Sequence, residues 1–416
     1  LNPRVQVAAR GERLGVFDER GRPFVLPSTA TPMKPSLSKT VLFRIHWVLG
    51  ISAGLVLAVV GVTGAMIGFE AEILRAINPS IRASVTDGPL AAPSKLIDAA
   101  RAVHPGYNAR TLAWEGDDEP VVVRLAKGGE RGGVEVALDP HTAAVLGTPR
   151  GKGVFDFAEQ LHRNLAAGPA GKQIVGASTA ILLVLAITGI ILRWPRRSSW
   201  RAWLTFNPKL RGRGFLWHLH SVAATWLLAF YLIAALTGLW WSYDFYRNAI
   251  NAMAGVSGPQ RRPGGDGKTD LPPAAIDAAW NVFRREATDA TRANVGLNGA
   301  ADAPVEIRYQ TPASPHERAW NTLRIVGAND TVASRELYAE LPRGRRFVSS
   351  IFPLHSGGFF GMPGRLVMSF AALMMPFFAV TGLLLWVARR RNAALRAEAA
   401  AGAIAPRVPQ RVPSAS

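Results

Sequence analysis

Four stretches of this chain run for about the thickness of a bilayer with hardly a charge, at residues 41–69, 173–194, 215–243 and 363–388. Crossing a membrane takes roughly 20 apolar residues, so each predicts a spanning helix. Between them the pattern changes. Residues 97–100, Ile-Asp-Ala-Ala, open a short amphipathic helix, and the same four letters return at 276–279. Alternating runs then predict strands at 121–125 and 134–138 after the first, and at 305–309 and 323–326 after the second. The segments joining spans one and two, and spans three and four, therefore read as two small α+β lobes.

The spans repeat as well. Each carries a Thr-Gly pair, and each pair follows a histidine at a recurring distance. His46 precedes Thr63, and His220 precedes Thr237, by 17 residues; His162 precedes Thr188, and His355 precedes Thr381, by 26. A longer pattern, H-x5-G-x2-G-[KR], joins His162 to Gly168, Gly171 and Lys172, and His355 to Gly361, Gly364 and Arg365. The expected fold is a membrane all-α protein. Four transmembrane helices form two tandem parallel-repeat hairpins, each with its own small α+β lobe, about a pseudo-two-fold axis along the membrane normal.

The expected organisation follows. A tail over 1–37 precedes helix one at 38–70 and a first lobe at 71–161. A histidine segment and helix two take 162–195, a basic loop 196–214, and helix three 215–245. A second lobe spans 246–354, a histidine segment and helix four 355–391, and a disordered tail 392–416. Residues 1–32 are Arg- and Pro-rich, without periodicity, and Met33 opens a start-like segment. They are expected to be a disordered tail or a gene-start artefact.

Of the 416 residues, 49% are hydrophobic and 19% charged, which excludes a disordered chain. The net charge is +19, but its arginines gather at membrane edges: Arg193, Arg196, Arg197, Arg201, Lys209, Arg211 and Arg213 after span two, and Arg389, Arg390 and Arg391 after span four. That placement argues against nucleic acid as partner and for lipid. It puts both clusters and both termini in the cytoplasm, and both lobes outside. There is no cysteine, which excludes disulfides, Cys-ligated zinc, iron–sulfur clusters and covalently attached haem. No G-x-G-x-x-G or G-x-x-x-x-G-K-[ST] is present, so no nucleotide or flavin fold is indicated.

Four histidines in matched positions point to non-covalent haem, whose iron takes two neutral imidazoles. His46 and His220 open outward-going spans at the cytoplasmic face; His162 and His355 open inward-going spans at the outer face. The axis pairs His46 with His220 and His162 with His355, giving two haems, the outer one at or just above the surface. His218 competes with His220, two residues away and on nearly the opposite side of the helix. Lys172 and Arg365 either neutralise haem propionates or snorkel to lipid phosphate. The Thr-Gly pairs read as close-packing positions, Trp194, Trp240, Trp241 and Trp386 as an aromatic belt, and Glu70 and Asp244 as solvated helix ends. His104, His141 and His316 have no repeat mates and read as solvated lobe residues.

These motifs resemble the PepSY-associated transmembrane family. The resemblance rests on Arg44-Ile45-His46-Trp47, Leu219-His220-Ser221, Gln160-Leu161-His162-Arg163 and Pro353-Leu354-His355-Ser356-Gly357. It rests also on the four Thr-Gly pairs, on Trp386 before Arg389-Arg390-Arg391, and on Leu138-Asp139-Pro140-His141-Thr142, similar to the hairpin of a PepSY lobe. It covers about residues 38–392. The resemblance implies a bacterial inner-membrane protein with b-type haem and, as in the siderophore-iron reductases of that family, electron transfer to a periplasmic ferric siderophore. The donor would be a cytoplasmic reductase or quinol. Two alternatives carry no redox cofactor: a PepSY-type regulatory or binding membrane protein, and an accessory subunit of metal uptake.

Overall fold

The computed structural model describes residues 6–9, 14–17, 37–84, 88–127, 133–194, 200–256, 271–299, 303–326 and 330–404. The chain divides into two compact units, Leu1–Ile45 and His46–Ser416. In the first unit, where the sequence suggested a tail, strands β1 (Gln6–Ala9) and β2 (Leu14–Phe17) pair antiparallel. The rest of 1–36 lies outside the described residues.

Helix α1 (Leu37–Ile67) begins in that unit and runs mostly in the second. It is followed by α2 (Glu70–Ile77), α3 (Pro93–Val103), and strands β3 (Asn108–Trp114), β4 (Val121–Ala126), β5 (Val134–Leu138) and β6 (Val145–Gly147). Helices α4 (Lys152–Asn164), α5 (Gly168–Arg193), α6 (Trp200–Leu204), α7 (Gly212–Ser242), α8 (Asp244–Met253) and α9 (Pro273–Glu286) come next. Strands β7 (Arg292–Gly296), β8 (Val305–Gln310), β9 (Asn321–Val326) and β10 (Thr331–Glu336) lead to α10 (Arg343–Ser356) and α11 (Gly361–Ile404).

Among the described residues, four helices are long and apolar enough to cross a membrane: Ser38–Ile67, Gly168–Arg193, Gly212–Ser242 and Gly358–Ala399. Their outward side chains are apolar and exposed, as at Leu55, Ile187, Trp226 and Phe370, which suits a lipid surround. Within the second unit the spans close on one another through small residues. A Cβ on Gly61 of α1 would lie 2.3 Å from the Ala372 carbonyl of α11, and one on Gly54 would touch Ala379. On Gly176 of α5 it would lie 2.9 Å from the Tyr243 ring that follows α7. Tyr231 of α7 donates its hydroxyl to the Ala371 carbonyl of α11 at 2.8 Å. Close approach of backbones, rather than hydrophobic burial, is what holds helices together in lipid.

The strands correct the expectation of two separate lobes. The eight strands among the described residues of the second unit form one antiparallel sheet, ordered β10-β9-β8-β7-β3-β4-β5-β6. The seam is β3 with β7, where Leu112 faces Val295 and Trp114 faces Ala293. One core results, with Leu112, Val123, Leu125, Val136 and Leu138 from the first segment beside Phe283, Val295, Ile307, Leu323 and Ile325 from the second. Helices α3 and α9 pack on this sheet and on each other. The Ser94 amide and hydroxyl both donate to the Asp277 carboxylate, at 2.8 and 2.6 Å, and Trp114 meets Trp280 edge-on at 5.8 Å. The two segments share one sheet and one core.

The C-terminal end differs too. Helix α11 continues past the arginine cluster to Ile404, where a disordered tail from 392 was expected. Residues 392–404 are mostly alanine with Leu, Arg and Glu, the strongest helix formers, so propensity sustains the helix beyond the apolar span.

Candidate functional site

Two similar corners deliver His162 and His355. After α4, Leu165, Ala166 and Gly168 all take positive φ (52°, 54° and 58°), and α5 starts at once with Pro169 in its first turn. After α10, Gly357 and Gly361 take φ of 83° and 63° around a short 3-10 turn. The second glycine of each H-x5-G-x2-G motif sits where the preceding helix ends. A Cβ on Gly171 would fall 1.7 Å from the Asn164 carbonyl, and one on Gly364 2.3 Å from that of Gly357. No other residue fits there. The motif is thus the covalent form of a tight reversal that turns a histidine-bearing helix end inward against the spans.

All four histidines are then held through the same ring nitrogen. His46 Nδ1 lies 2.8 Å from Thr188 Oγ1, and His220 Nδ1 2.7 Å from Thr381 Oγ1. His355 Nδ1 lies 2.9 Å from Thr237 Oγ1, and His162 Nδ1 2.9 Å from the Val60 carbonyl, one turn before Thr63. Each threonine hydroxyl already donates to its own helix: Thr188 to Val184, Thr237 to Ile233 and Thr381 to Phe377, at 2.5–2.7 Å. Its oxygen is therefore an acceptor, as the Val60 carbonyl must be, and each Nδ1 carries the hydrogen. The four rings share one tautomer, with the Nε2 lone pair left for a metal.

The glycines after the threonines make room for the rings. A Cβ on Gly64 would lie 2.8 Å from His162 Cε1, one on Gly238 3.4 Å from His355 Cε1, and one on Gly189 3.5 Å from His46 Cε1; Gly382 borders open space. The Thr-Gly pairs are imidazole seats, a role beyond the close packing that the sequence suggests. In each hairpin the first histidine sits on the second Thr-Gly pair and the second histidine on the first.

The structure brings His162 and His355 together, ring centroids 6.1 Å apart and planes inclined by 68°. Both rings are enclosed among apolar spans, a setting that favours the neutral imidazole which ligation requires. The pair lies level with residues 60–64 of α1 and 234–238 of α7, one to two turns inside these helices. His46 and His220 occupy the other end of the spans. From His46 to Val60 the rise along α1 is about 21 Å. His218 turns away toward the loop, its Nε2 3.2 Å from the Thr205 carbonyl and its ring on Phe206; His220 is the member of the cluster.

Among the described residues no group of three His, Cys, Asp or Glu could hold a bare ion. Paired imidazoles without carboxylates suit an iron whose other positions are filled by a macrocycle. His162 and His355, with ring centroids 6.1 Å apart, are the two residues that would hold such a group together, supplying it with neutral nitrogen ligands.

Arg365 is already committed. It clamps both carboxylate oxygens of Glu72, at 2.7 and 2.8 Å, donates to the Gly68 carbonyl, and lies over the Phe69 ring. It ties α11 to the junction of α1 and α2, and its charge is largely answered there. Lys172 is half-buried and makes no ion pair among the described residues. Glu70 takes Lys152 at 2.8 Å and Asp244 takes Arg247 at 2.8 Å. Trp241 lies 5.3 Å from the His355 ring, so it lines the histidine cluster. His104 and His141 stay in the sheet region with buried, unpartnered ring nitrogens. His316 is also buried there, bonded to Tyr338 and Ser350.

With this arrangement in view, the comparison with known families is decisive. A family model described as the PepSY-associated TM region matches residues 43–389. The chain belongs to that family. No curated protein matches it. The PepSY-associated TM match takes in all four histidines, all four Thr-Gly pairs and the whole eight-stranded sheet. The protein is a membrane protein of this family, with four candidate spanning helices and an antiparallel sheet.

Proposed function

We propose that this protein is a b-type haem protein that carries electrons across a bacterial inner membrane to an acceptor on the sheet side, with ferric siderophore iron as the substrate. His162 and His355 hold one haem and His46 and His220 a second, in two hairpins repeated in parallel. The observation that carries the reading is the His162–His355 pair, with 6.1 Å between centroids and each Nδ1 locked to a neighbouring helix. Fixing one nitrogen of an imidazole orients the ring and raises the basicity of the other. When bound, haem supplies a one-electron iron couple whose potential depends on axial ligation and burial.

The chain's own residues do the rest. Thr188, Thr237, Thr381 and the Val60 carbonyl hold the rings in register. The apolar spans exclude water, and Trp241 shields His355. Lys172 is the candidate for answering a propionate. The arginine-rich segments after spans two and four support a cytoplasmic placement of that face, where a cytoplasmic reductase or quinol would act as donor.

The test is the visible spectrum of the purified full-length protein. Sharp reduced bands of low-spin haem are expected, diminished in His355→Ala and His46→Ala and abolished in the double variant. A well-folded but colourless protein, in cells supplied with haem, overturns the reading.

A further inference from the structure

The sheet side carries a cleft that the histidine cluster does not use. It has a volume of about 330 Å³ and lies between α10 and the segment after β8. Arg343 and Arg346 line it from α10, His316 and Tyr338 from the opposite wall, and Phe347 and Phe359 from its rim. Its lining includes no carboxylate. Arg345, on the same turn, points elsewhere, paired with Glu336 at 2.8 Å. Arg343 and Arg346 make no ion pair among the described residues; against their two charges stands the Glu317 carboxylate, whose charge reaches His316, so the cleft stays net positive.

The polar floor is ordered to donate. His316 is 6% exposed, and burial pushes its imidazole down, keeping it neutral. Its Nδ1 accepts the Arg318 amide hydrogen at 3.2 Å, so Nε2 carries the ring proton. That Nε2 lies 3.0 Å from the Tyr338 hydroxyl and 3.2 Å from the Ser350 hydroxyl. Ser350 donates to the Arg346 carbonyl at 2.8 Å. The His316 proton therefore supports Tyr338, whose hydroxyl otherwise meets the Ser349 hydroxyl at 3.3 Å and the Arg346 carbonyl at 3.4 Å, long contacts that a guest can replace. Two guanidiniums beside a phenol suit an anionic oxygen group. Phe347 and Phe359, 52% and 38% exposed, suit the apolar body of the same guest.

We propose that this cleft is the binding site for a negatively charged, oxygen-donor metal chelate, gripped by Arg343, Arg346 and Tyr338. Its place in the fold supports the assignment: Ser350 on the cleft floor is five residues from His355 on the same helix, about 7.5 Å of rise. Identifying the guest as the electron acceptor rests on the electron-transfer reading above; its binding as an anion does not.

The experiment uses the full chain in detergent and two probes, ferric citrate and the redox-inert gallium citrate, with affinity measured by calorimetry. Both are expected to bind, more weakly as salt rises. Arg343→Gln/Arg346→Gln should weaken both by about ten-fold or more, whereas Arg345→Gln should change neither by more than about two-fold. Haem bands should be the same in all variants. Absence of wild-type binding, or equal losses in Arg345→Gln and the double variant, overturns the cleft. Selective loss of gallium citrate binding in a protein without haem would uphold the cleft while ending the electron-transfer reading.

Discussion

His46 and Thr188 belong to different spans, yet Nδ1 of one lies 2.8 Å from Oγ1 of the other, and His220 and Thr381 reproduce the contact at 2.7 Å. Because the threonine hydrogen is spent on its own helix, removing the hydroxyl leaves Nδ1–H with no acceptor. Thr188→Val and Thr381→Val should therefore lower haem affinity by about 10–100-fold, the usual cost of losing such an orienting partner. Thr381→Ser should restore most of it. Haem titration of the apo-protein checks this; unchanged affinity in both valine variants would show the contact to be incidental.

Space for the ring is the second requirement. A methyl on Gly64 would fall 2.8 Å from His162 Cε1. Gly64→Ala should displace the imidazole, costing about 1–3 kcal/mol and about half the haem. Gly382→Ala, whose methyl meets nothing within 4 Å, should keep its full complement. Haem-to-protein ratios for the two variants decide the matter.

Arg365 and Lys172 should separate cleanly. The Arg365–Glu72 clamp is partly exposed, with side chains 24% and 40% accessible, so Arg365→Gln should cost about 1 kcal/mol. The Arg365 hydrogen bond holds the Glu72 carboxyl below its ordinary range. Glu72→Gln should thus destabilise by a similar amount, and the double variant by little more than either single. Haem content should hold in all three. Lys172→Gln should instead weaken haem retention with little change in melting temperature. Thermal melts alongside haem loss rates test both halves of the statement.

Asp139 sets the acid limit of the sheet. Its carboxylate is 2% exposed. Burial alone would raise its pKa, but the amides of Ser84, His141 and Thr142, bonded at 2.6, 3.0 and 2.9 Å, more than reverse that and hold it well below the usual value of 3.8. A carboxyl depressed in the folded state contributes stability above its unfolded pKa. That contribution is lost as pH falls below about 3.8 toward the folded value. Asp139→Asn should cost about 1–3 kcal/mol at neutral pH and flatten the acid limb. Denaturation followed by tryptophan fluorescence between neutral and strongly acid pH reads this out; an unchanged acid limb in the variant contradicts it.

The spans were legible because an apolar run of about twenty residues is the length a bilayer demands and is rare in a water-soluble core. His162 and His355 were legible because their motif recurs. The Thr-Gly seats were half legible: the spacing was visible, but it ran along the chain while the contact runs between helices. The seam strands escaped notice. Asn108–Trp114 and Arg292–Gly296 are short and mix polar with small residues, and each is a strand because its neighbour supplies the other half of a ladder. The Arg365–Glu72 clamp and the cleft over α10 join residues far apart in sequence, which no local pattern encodes.

The β3–β7 seam also governs assembly. Cut from its partner, either half would present a bare hydrogen-bonding margin beside an uncovered apolar floor, a surface that recruits whatever strand it meets. Synthesis must therefore hold the leading half in waiting until the trailing one emerges. A shortened transcript ending after the second span would yield a product prone to sticking to itself.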